Sequence, residues 1–85
     1  YRMPNGQCSY PIDMGFAVAF MMLQTEAEGL GGCVISTYDE QELKEILTVP
    51  YSMRVVMLFV VGEPAESPLP TPRKSFNRVV AFNHW

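Results

Sequence analysis

A glycine-rich segment and a distant pair of cations are the residues of this sequence whose types and spacing suggest chemistry. Residues 28–36 read EGLGGCVIS and connect a strongly apolar segment to a short β-branched one. Glycines let the backbone approach a flat object closely, because no Cβ stands in the way. Arg73 and Lys74 lie beyond a proline-rich stretch and supply positive charge. A close-approach strand and a cationic tail are what a flat, phosphate-bearing cofactor would need.

Side-chain sets that catalyse reactions by themselves are missing from the sequence. It contains no Ser/His/Asp set, no Cys/His pair with an orienting acid and no paired carboxylates on one predicted face. His84 is the single histidine, and its place near the C-terminus predicts an exposed side chain. GLGG precedes a strand, which is the wrong context for a dinucleotide-binding fingerprint. We therefore predict no catalytic side chain and no metal site, so any reaction would be carried by a cofactor.

An apolar helix is predicted before the glycines. Residues 1–11 are rich in turn-forming residues and are expected to form a loop, after which Asp13 would cap a helix over residues 14–28. This helix is apolar on every side up to Leu23, which predicts burial all round, and Gly29 would end it. We interpret the apolar surface as core first and as a subunit contact second, with a wall of a flavin site as the remaining alternative.

Two strands are expected after the glycines. Residues 33–37 predict a short strand, in which Cys33 would be a small apolar core residue. Residues 55–61 form a continuous apolar run closed by a glycine, which is typical of a strand buried on both faces. Local rules alone would join these strands by a right-handed parallel crossover.

A second helix is predicted between the two strands. Asp39 and Glu42 form a capping box for a helix that ends near Leu47. One face of this helix is apolar, and the charged residues Glu40, Lys44 and Glu45 are assigned to its outer face.

The C-terminal segment differs from the rest of the chain in composition. Residues 63–72 contain four prolines and are expected to be extended. Residues 76–82 are a candidate final strand, and no acidic residue follows Glu66.

Length and composition limit the class of protein. A chain of 85 residues forms at most one small domain and buries only roughly 60–65% of its unfolded surface. Because 48% of the residues are apolar, we expect the chain to associate or to be part of something larger. The net charge of −3 gives no reason to expect a nucleic-acid partner. The longest apolar run, residues 14–23, is shorter than the roughly 20 residues that a membrane span needs.

Two further features bear on where the chain comes from. The first residue is Tyr1 rather than Met, which leads us to expect a cleaved or partial chain. No secretory leader is visible at the start, so we expect a cytoplasmic location.

In order and spacing, these segments resemble the C-terminal half of the nitroreductase family of flavin-dependent NAD(P)H oxidoreductases. The shared order is an apolar helix, GLGGCVIS, the helix DEQELKEIL, a proline, the strand RVVMLFVVG, a proline-rich link and PRKSFNRVV. The resemblance implies an α+β fold with a mixed, mostly antiparallel sheet flanked by helices. It implies that residues 1–85 are the C-terminal portion of one domain whose N-terminal half is absent, with 63–85 as an extended, proline-rich and basic tail.

The resemblance also implies the cofactor and the reaction. FMN would lie at a homodimer interface and pass hydride from NAD(P)H to a small-molecule acceptor such as a nitroaromatic or a quinone. The family's stretch after its GLG lies against the isoalloxazine ring, which carries over onto Val34, Ile35, Ser36 and Thr37. Many members carry a glycine where Thr37 stands here.

The FMN phosphate has its own predicted ligand. A basic residue about six positions before the final Val-Val pair binds the phosphate in the family, and this carries over onto Arg73. Lys74 could add a point charge, although members often place their lysine before the arginine. Arginine suits phosphate because its planar guanidinium offers two parallel hydrogen bonds.

Without the family's N-terminal half, the chain would hold about half of the site and be inactive by itself. Its partners would be a second copy or that missing half, with no nucleic acid and no membrane involved. An alternative is a non-catalytic interaction or dimerisation module that keeps the scaffold without the cofactor. A flavin-degrading or dehalogenating relative is a third interpretation, within the same superfamily.

Overall fold

The computed structural model describes residues 1–84, which form three helices and a two-stranded sheet. In chain order these are α1 (Tyr10–Ala27), β1 (Gly31–Ile35), α2 (Glu40–Leu47), β2 (Leu58–Gly62) and α3 (Phe76–Val79). The expected α+β class is confirmed. None of the described helices is both long enough and apolar enough to cross a membrane.

The two strands pair antiparallel, with Gly31 opposite Gly62 and Ile35 opposite Leu58. The parallel crossover expected from local rules is therefore wrong, and the direction implied by the resemblance is right. α2 is hydrogen-bonded to the segment just before β2, so the chain returns beside β1 without crossing the sheet. β1 begins at Gly31, two residues before the predicted start at Cys33, and β2 begins at Leu58, after the predicted start at residue 55.

α1 begins earlier than the sequence predicts, at Tyr10. Pro11 lies in its first turn, where a backbone N–H would have no acceptor within the helix, so its absence costs nothing. The fixed φ of proline also suits a helix. Asp13 is consequently inside the first turn and does not cap the helix, so the predicted cap is wrong. Its carboxylate still lies near the positive end of the helix dipole, which is favourable.

The end of α1 agrees with the prediction. Gly29 has a φ of +74°, which a residue with a Cβ rarely adopts. Its N–H donates to the carbonyl of Glu26 at 3.1 Å, and the N–H of Leu30 donates to that of Thr25 at 3.0 Å. This pair of bonds is a Schellman motif, and it turns the chain directly into β1.

α1 and the sheet meet at Gly32. A Cβ on Gly32 would lie 2.5 Å from Cζ of Phe59 and 3.5 Å from Cγ2 of Thr25. Thr25 is buried, and its hydroxyl donates to the carbonyl of Met21 at 2.7 Å. The close packing of helix, strand and aromatic ring therefore depends on the absence of a side chain at Gly32.

Apolar faces remain open on both main elements. Among residues 1–84 no apolar side chain is buried. Phe16 and Phe20 on α1 are 64% and 71% exposed, and Val60 on β2 is 53% exposed. Cys33, predicted to be in the core, is also exposed. The predicted all-round burial of α1 and two-faced burial of β2 are thus wrong for this chain by itself, because a two-stranded sheet has no second layer.

α2 has the predicted cap but not the predicted outer face. The Asp39 carboxylate accepts a hydrogen bond from the N–H of Glu42 at 3.1 Å. Lys44, assigned to the outside, is buried, and its Nζ donates to the carbonyl of Tyr51 at 3.3 Å. The chain after α2 turns at Thr48, which adopts a φ of 57°, and folds back over the lysine.

The C-terminal segment is extended only in part. Residues 63–72 form neither helix nor strand, as their prolines predict. The strand predicted over 76–82 is wrong, because this segment begins with the single helical turn α3. A helical turn satisfies backbone groups within the segment itself: the N–H of Val80 donates to the carbonyl of Phe76 at 3.0 Å. A strand here would need a neighbouring sheet edge to satisfy the same groups.

We predict that Gly32→Ala destabilises the protein. The added methyl group would overlap the Phe59 ring, and such overpacking costs roughly 1–3 kcal/mol in free energy of unfolding. Gly15→Ala is the matched control, because no atom lies within 4 Å of a Cβ there and alanine is the better helix former. Denaturant unfolding of both variants checks the expectation. Equal stabilities would show that the helix–sheet contact does not depend on Gly32.

Candidate functional site

The predicted ring-binding residues lie at the end of β1 and just beyond it. Val34 and Ile35 are the last two residues of β1 and are 39% and 36% exposed. Ser36 and Thr37 follow and are exposed. The strand pairing ends at Ile35, and neither Ser36 nor Thr37 makes another backbone hydrogen bond within residues 1–84. The end of the strand therefore presents accessible backbone N–H and C=O groups.

The two faces of this strand end differ. Antiparallel partners share a face, so Val34 lies with Phe59 on one side and Ile35 with Leu58 on the other. Phe59 contacts Gly32 and so marks the face that α1 covers. Ile35 is left on the uncovered face. No charged residue occurs from 29 to 38, so this face offers an apolar, uncharged surface beside unpaired backbone groups.

Just beyond the end of β1, hydrogen bonds join residues 38 and 40 to residues 54 and 55. The hydroxyl of Tyr38 donates to the carbonyl of Val55 at 2.9 Å. The backbone N–H of Val55 donates to Oε1 of Glu40 at 3.1 Å, and Nε of Arg54 donates to the same oxygen at 2.9 Å. We call these contacts the Val55 clamp. The sequence pattern places Glu40 on an outer face and does not predict this clamp, although the opposite charges at 40 and 54 are a possible signal.

The clamp has a defined electrostatic character. The hydrogen bond from Arg54, followed by that from the Val55 N–H, holds the pKa of Glu40 below its ordinary value of 4.5. The same pairing raises the pKa of Arg54 above its ordinary value. The carboxylate is therefore the form that the folded structure favours.

The predicted phosphate ligands lie in the tail and are not engaged by acids. Three of the other basic side chains have partners: Arg54 pairs with Glu40, and Lys44 and Arg2 donate to the carbonyls of Tyr51 and Gly6. Nη1 of Arg73 donates to Oγ1 of Thr71 at 2.7 Å, and Arg73 and Lys74 are both exposed. Both side chains are thus available to bind an anion.

The structure does not join the two predicted groups to each other. Within residues 1–84 no hydrogen bond or ion pair links Arg73 or Lys74 to β1. Their convergence on one ligand with Val34–Thr37 stays a prediction.

A groove of about 550 Å³ lies at the opposite end of β1. Residues of both strands line it, among them Gly31, Cys33 and Val60, together with Pro64 and Pro68 of the tail. None of the predicted ring-binding or phosphate-binding residues lines it. The groove is therefore separate from the strand end at Ser36 and Thr37.

Comparison with known protein families finds a match to part of the chain. The model described as "Nitroreductase family" matches residues 9–63, which is more than half of the chain. The matched region contains α1, β1, α2 and β2, and with them Val34–Thr37. Arg73 and Lys74 lie beyond its end.

We predict that the Val55 clamp makes stability depend on pH in acid. The pKa of Glu40 is lower in the folded than in the unfolded protein, so its stabilising contribution is complete well above pH 4.5. It is lost as the pH falls below 4.5 through the folded-state pKa. The difference in unfolding free energy between the wild type and Glu40→Gln should therefore shrink over that interval.

The control for this prediction is an Arg54→Met background, in which the largest cause of the lowered pKa is removed. There, Glu40→Gln should change stability with a much weaker dependence on pH. The same pH dependence with and without Arg54 would contradict the assignment of the effect to this ion pair.

Proposed function

The chain belongs to the nitroreductase family, and we propose that it is part of an FMN-dependent oxidoreductase. In this proposal, hydride passes from NAD(P)H through the flavin to a nitroaromatic or quinone-type acceptor. The observation that carries it is that the matched region contains an exposed strand end with unpaired backbone groups, at Ser36 and Thr37. Use of NAD(P)H favours a cytoplasmic location for the complete protein.

The residues at the strand end fit the ring of FMN. An isoalloxazine is flat and has one polar edge, so it needs an apolar face for stacking and hydrogen-bonding groups beside that face. Ile35 supplies the apolar contact, and the backbone of Ser36 and Thr37 supplies donors and acceptors. Val34 belongs to the same segment and lies on the face of the sheet that α1 covers. FMN, when bound, supplies the capacity to accept and donate hydride, and the chain supplies its position and surroundings.

The tail fits the phosphate of the same cofactor. We propose Arg73 as the main phosphate ligand and Lys74 as an additional cation. Both are exposed and free of acidic partners, and no acidic residue follows Glu66. A guanidinium stays charged at every relevant pH and can bind two phosphate oxygens at once.

The exposed surface supports a partner. The chain exposes 7888 Å², whereas a globular monomer of 9.6 kDa would expose about 5,100 Å². Its radius of gyration is 17.0 Å, against about 12 Å for a compact chain of this length. We propose that α1 and the tail pack against a second copy in a homodimer and against the family's N-terminal half. A small-molecule electron acceptor is the remaining proposed partner.

We predict that Arg73→Ala weakens FMN binding in the complete protein by roughly ten- to a hundredfold. Charge-assisted hydrogen bonds to phosphate contribute about 1.5–3 kcal/mol. Arg78→Ala is the matched control, because it removes the same charge from the same tail. The FMN affinity of each variant is measured by titrating the apoprotein with FMN and recording the quenching of flavin fluorescence. Equal affinities would exclude Arg73 as the phosphate ligand.

The same titration tests the proposed function. A protein that binds FMN stays yellow after free FMN is removed by gel filtration, whereas an interaction module without cofactor is colourless after the same step. A colourless wild-type protein would favour the dimerisation module.

We further predict that Phe20→Lys weakens self-association. Phe20 is 71% exposed on an otherwise apolar helix, so a charge there would have to be buried in the proposed contact. Gln24→Lys, on the same helix at an already polar position, is the control. Sedimentation at several concentrations should show a dissociated Phe20 variant and an associated control. Identical sedimentation of the two variants would place the contact elsewhere.

A further inference from the structure

Arg54 is held in place by one edge of its guanidinium, and the opposite edge is left open. Its Nε donates to both oxygens of the Glu40 carboxylate, at 2.9 Å and 3.2 Å. Within residues 1–84, neither of its terminal nitrogens, Nη1 and Nη2, makes a hydrogen bond or an ion pair. These two nitrogens carry four of the five N–H donors of a guanidinium. Because the side chain is 68% exposed, the unpaired donors are accessible.

The carboxylate that anchors Arg54 is itself fixed to the backbone. Glu40 lies in the first turn of α2 and accepts a hydrogen bond from the N–H of Val55 at 3.1 Å. Only 26% of its side chain is exposed. Arg54 has therefore lost part of its rotamer freedom on folding, so less of that freedom remains to be lost when a ligand binds. The open edge of the guanidinium is thus preorganised for binding.

The charges around Arg54 are compatible with an anionic ligand. Glu40 would repel an anion, but Lys44 lies four residues further along the same helix, and its charge acts on the Glu40 carboxylate. Lys44 is buried and has a carbonyl, not an acid, as its hydrogen-bond partner. Two cations therefore stand beside one carboxylate. Apart from Glu40, the titratable groups that act on the charge of Arg54 are the phenol groups of Tyr10 and Tyr38 rather than further carboxylates.

Arg54 lies at the end of the sheet where the predicted ring-binding residues lie. Tyr38 directly follows Thr37 in the chain. Its hydroxyl donates to the carbonyl of Val55, which is the neighbour of Arg54. α1 begins at this end as well, because the phenol of Tyr10 is close enough to act on the charge of Arg54. The unpaired donors are therefore on the side of the molecule where, in the proposed function, reductant and acceptor approach the flavin.

We propose that Arg54 binds an oxyanion, a carboxylate or a phosphate group, on one of the molecules that exchange electrons with the flavin. Nη1 and Nη2 match two oxygens of such a group, because a guanidinium presents its donors as a planar fork. This inference rests on the proposed function, since it names a property of the substrate. Two sources share the chemistry, an acidic acceptor such as a nitrobenzoate and the 2′-phosphate of NADPH. Arg54 is separate from Arg73, whose proposed ligand is the phosphate of FMN.

Steady-state kinetics of the complete, FMN-loaded protein test this inference. The acceptors are para-nitrobenzoate and its uncharged analogue para-nitrobenzamide, and the reductants are NADPH and NADH, which differ by the 2′-phosphate. Arg54→Met should raise KM roughly three- to tenfold for the substrate that carries the bound oxyanion, with kcat unchanged. The effect is limited because water competes for an exposed side chain. The uncharged member of the same pair should keep its KM.

The two substrate pairs identify the source of the oxyanion. A rise in KM for para-nitrobenzoate alone assigns Arg54 to an acidic acceptor, and a rise for NADPH alone assigns it to the 2′-phosphate. Arg54→Lys keeps the positive charge but has no planar fork, so its KM values should be closer to those of Arg54→Met than to those of the wild type. A lysine variant with wild-type KM values would overturn the proposed recognition by the fork.

A matched control separates recognition from a general change in charge. Arg78→Met removes the same exposed side chain from α3 and should leave the KM values of all four substrates unchanged. If Arg54→Met changes KM equally for the charged and uncharged members of both pairs, the oxyanion site is wrong while the proposed function stands. A wild type that oxidises neither NADPH nor NADH with either acceptor overturns the proposed function, and the inference with it.

Discussion

The antiparallel pairing of β1 with β2 is the interaction on which the other contacts of this chain depend. It brings Phe59 over Gly32, and this contact gives α1 the surface on which Thr25 packs. It also brings Val55 within reach of the residues that follow β1, so that α2 is tied to the chain before β2. A two-stranded sheet is only marginally stable in water by itself. The fold therefore rests on one long-range ladder that needs support from its surroundings.

The missing support follows from how the apolar residues are distributed. From residue 14 to residue 23, α1 is apolar around its whole circumference, yet the sheet covers only the side near Thr25. A helix of this kind is stable when packed on several sides, and one thin sheet cannot provide them. The uncovered faces of α1 and β2 thus have the apolar composition that is typical of a protein core. The family match to residues 9–63 contains both of these elements.

The elements of the fold were predictable where short-range chemistry decides them. Gly29 ends α1 because its backbone conformation excludes most other residues, and Asp39 caps α2 through a hydrogen bond three residues away. Burial could not be predicted, since it depends on which surfaces are present to cover a face. The strand expected over 76–82 fails for the same reason, because a strand requires a neighbour and a helical turn does not. Direction of pairing came from the family resemblance, which carries long-range information that local rules lack.

The candidate site was predictable in its residue types and not in its supporting contacts. Glycines, an uncharged strand end and a basic tail can be read from the sequence, whereas the clamp on Val55 depends on the register of two strands.

The distribution of charge shows how the chain could divide the binding of one cofactor. In the proposed function, the neutral ring meets a segment without charges, residues 29–38, and the phosphate meets the cations at 73 and 74. Glu40 would disturb an anion nearby, but Arg54 pairs with its carboxylate and neutralises it locally. Contacts of the exposed cations weaken as salt rises, whereas stacking and backbone hydrogen bonds at the strand end do not depend on it in the same way. The two halves of the proposed site thus rest on different physical forces, and only the phosphate half draws on long-range attraction to capture the ligand.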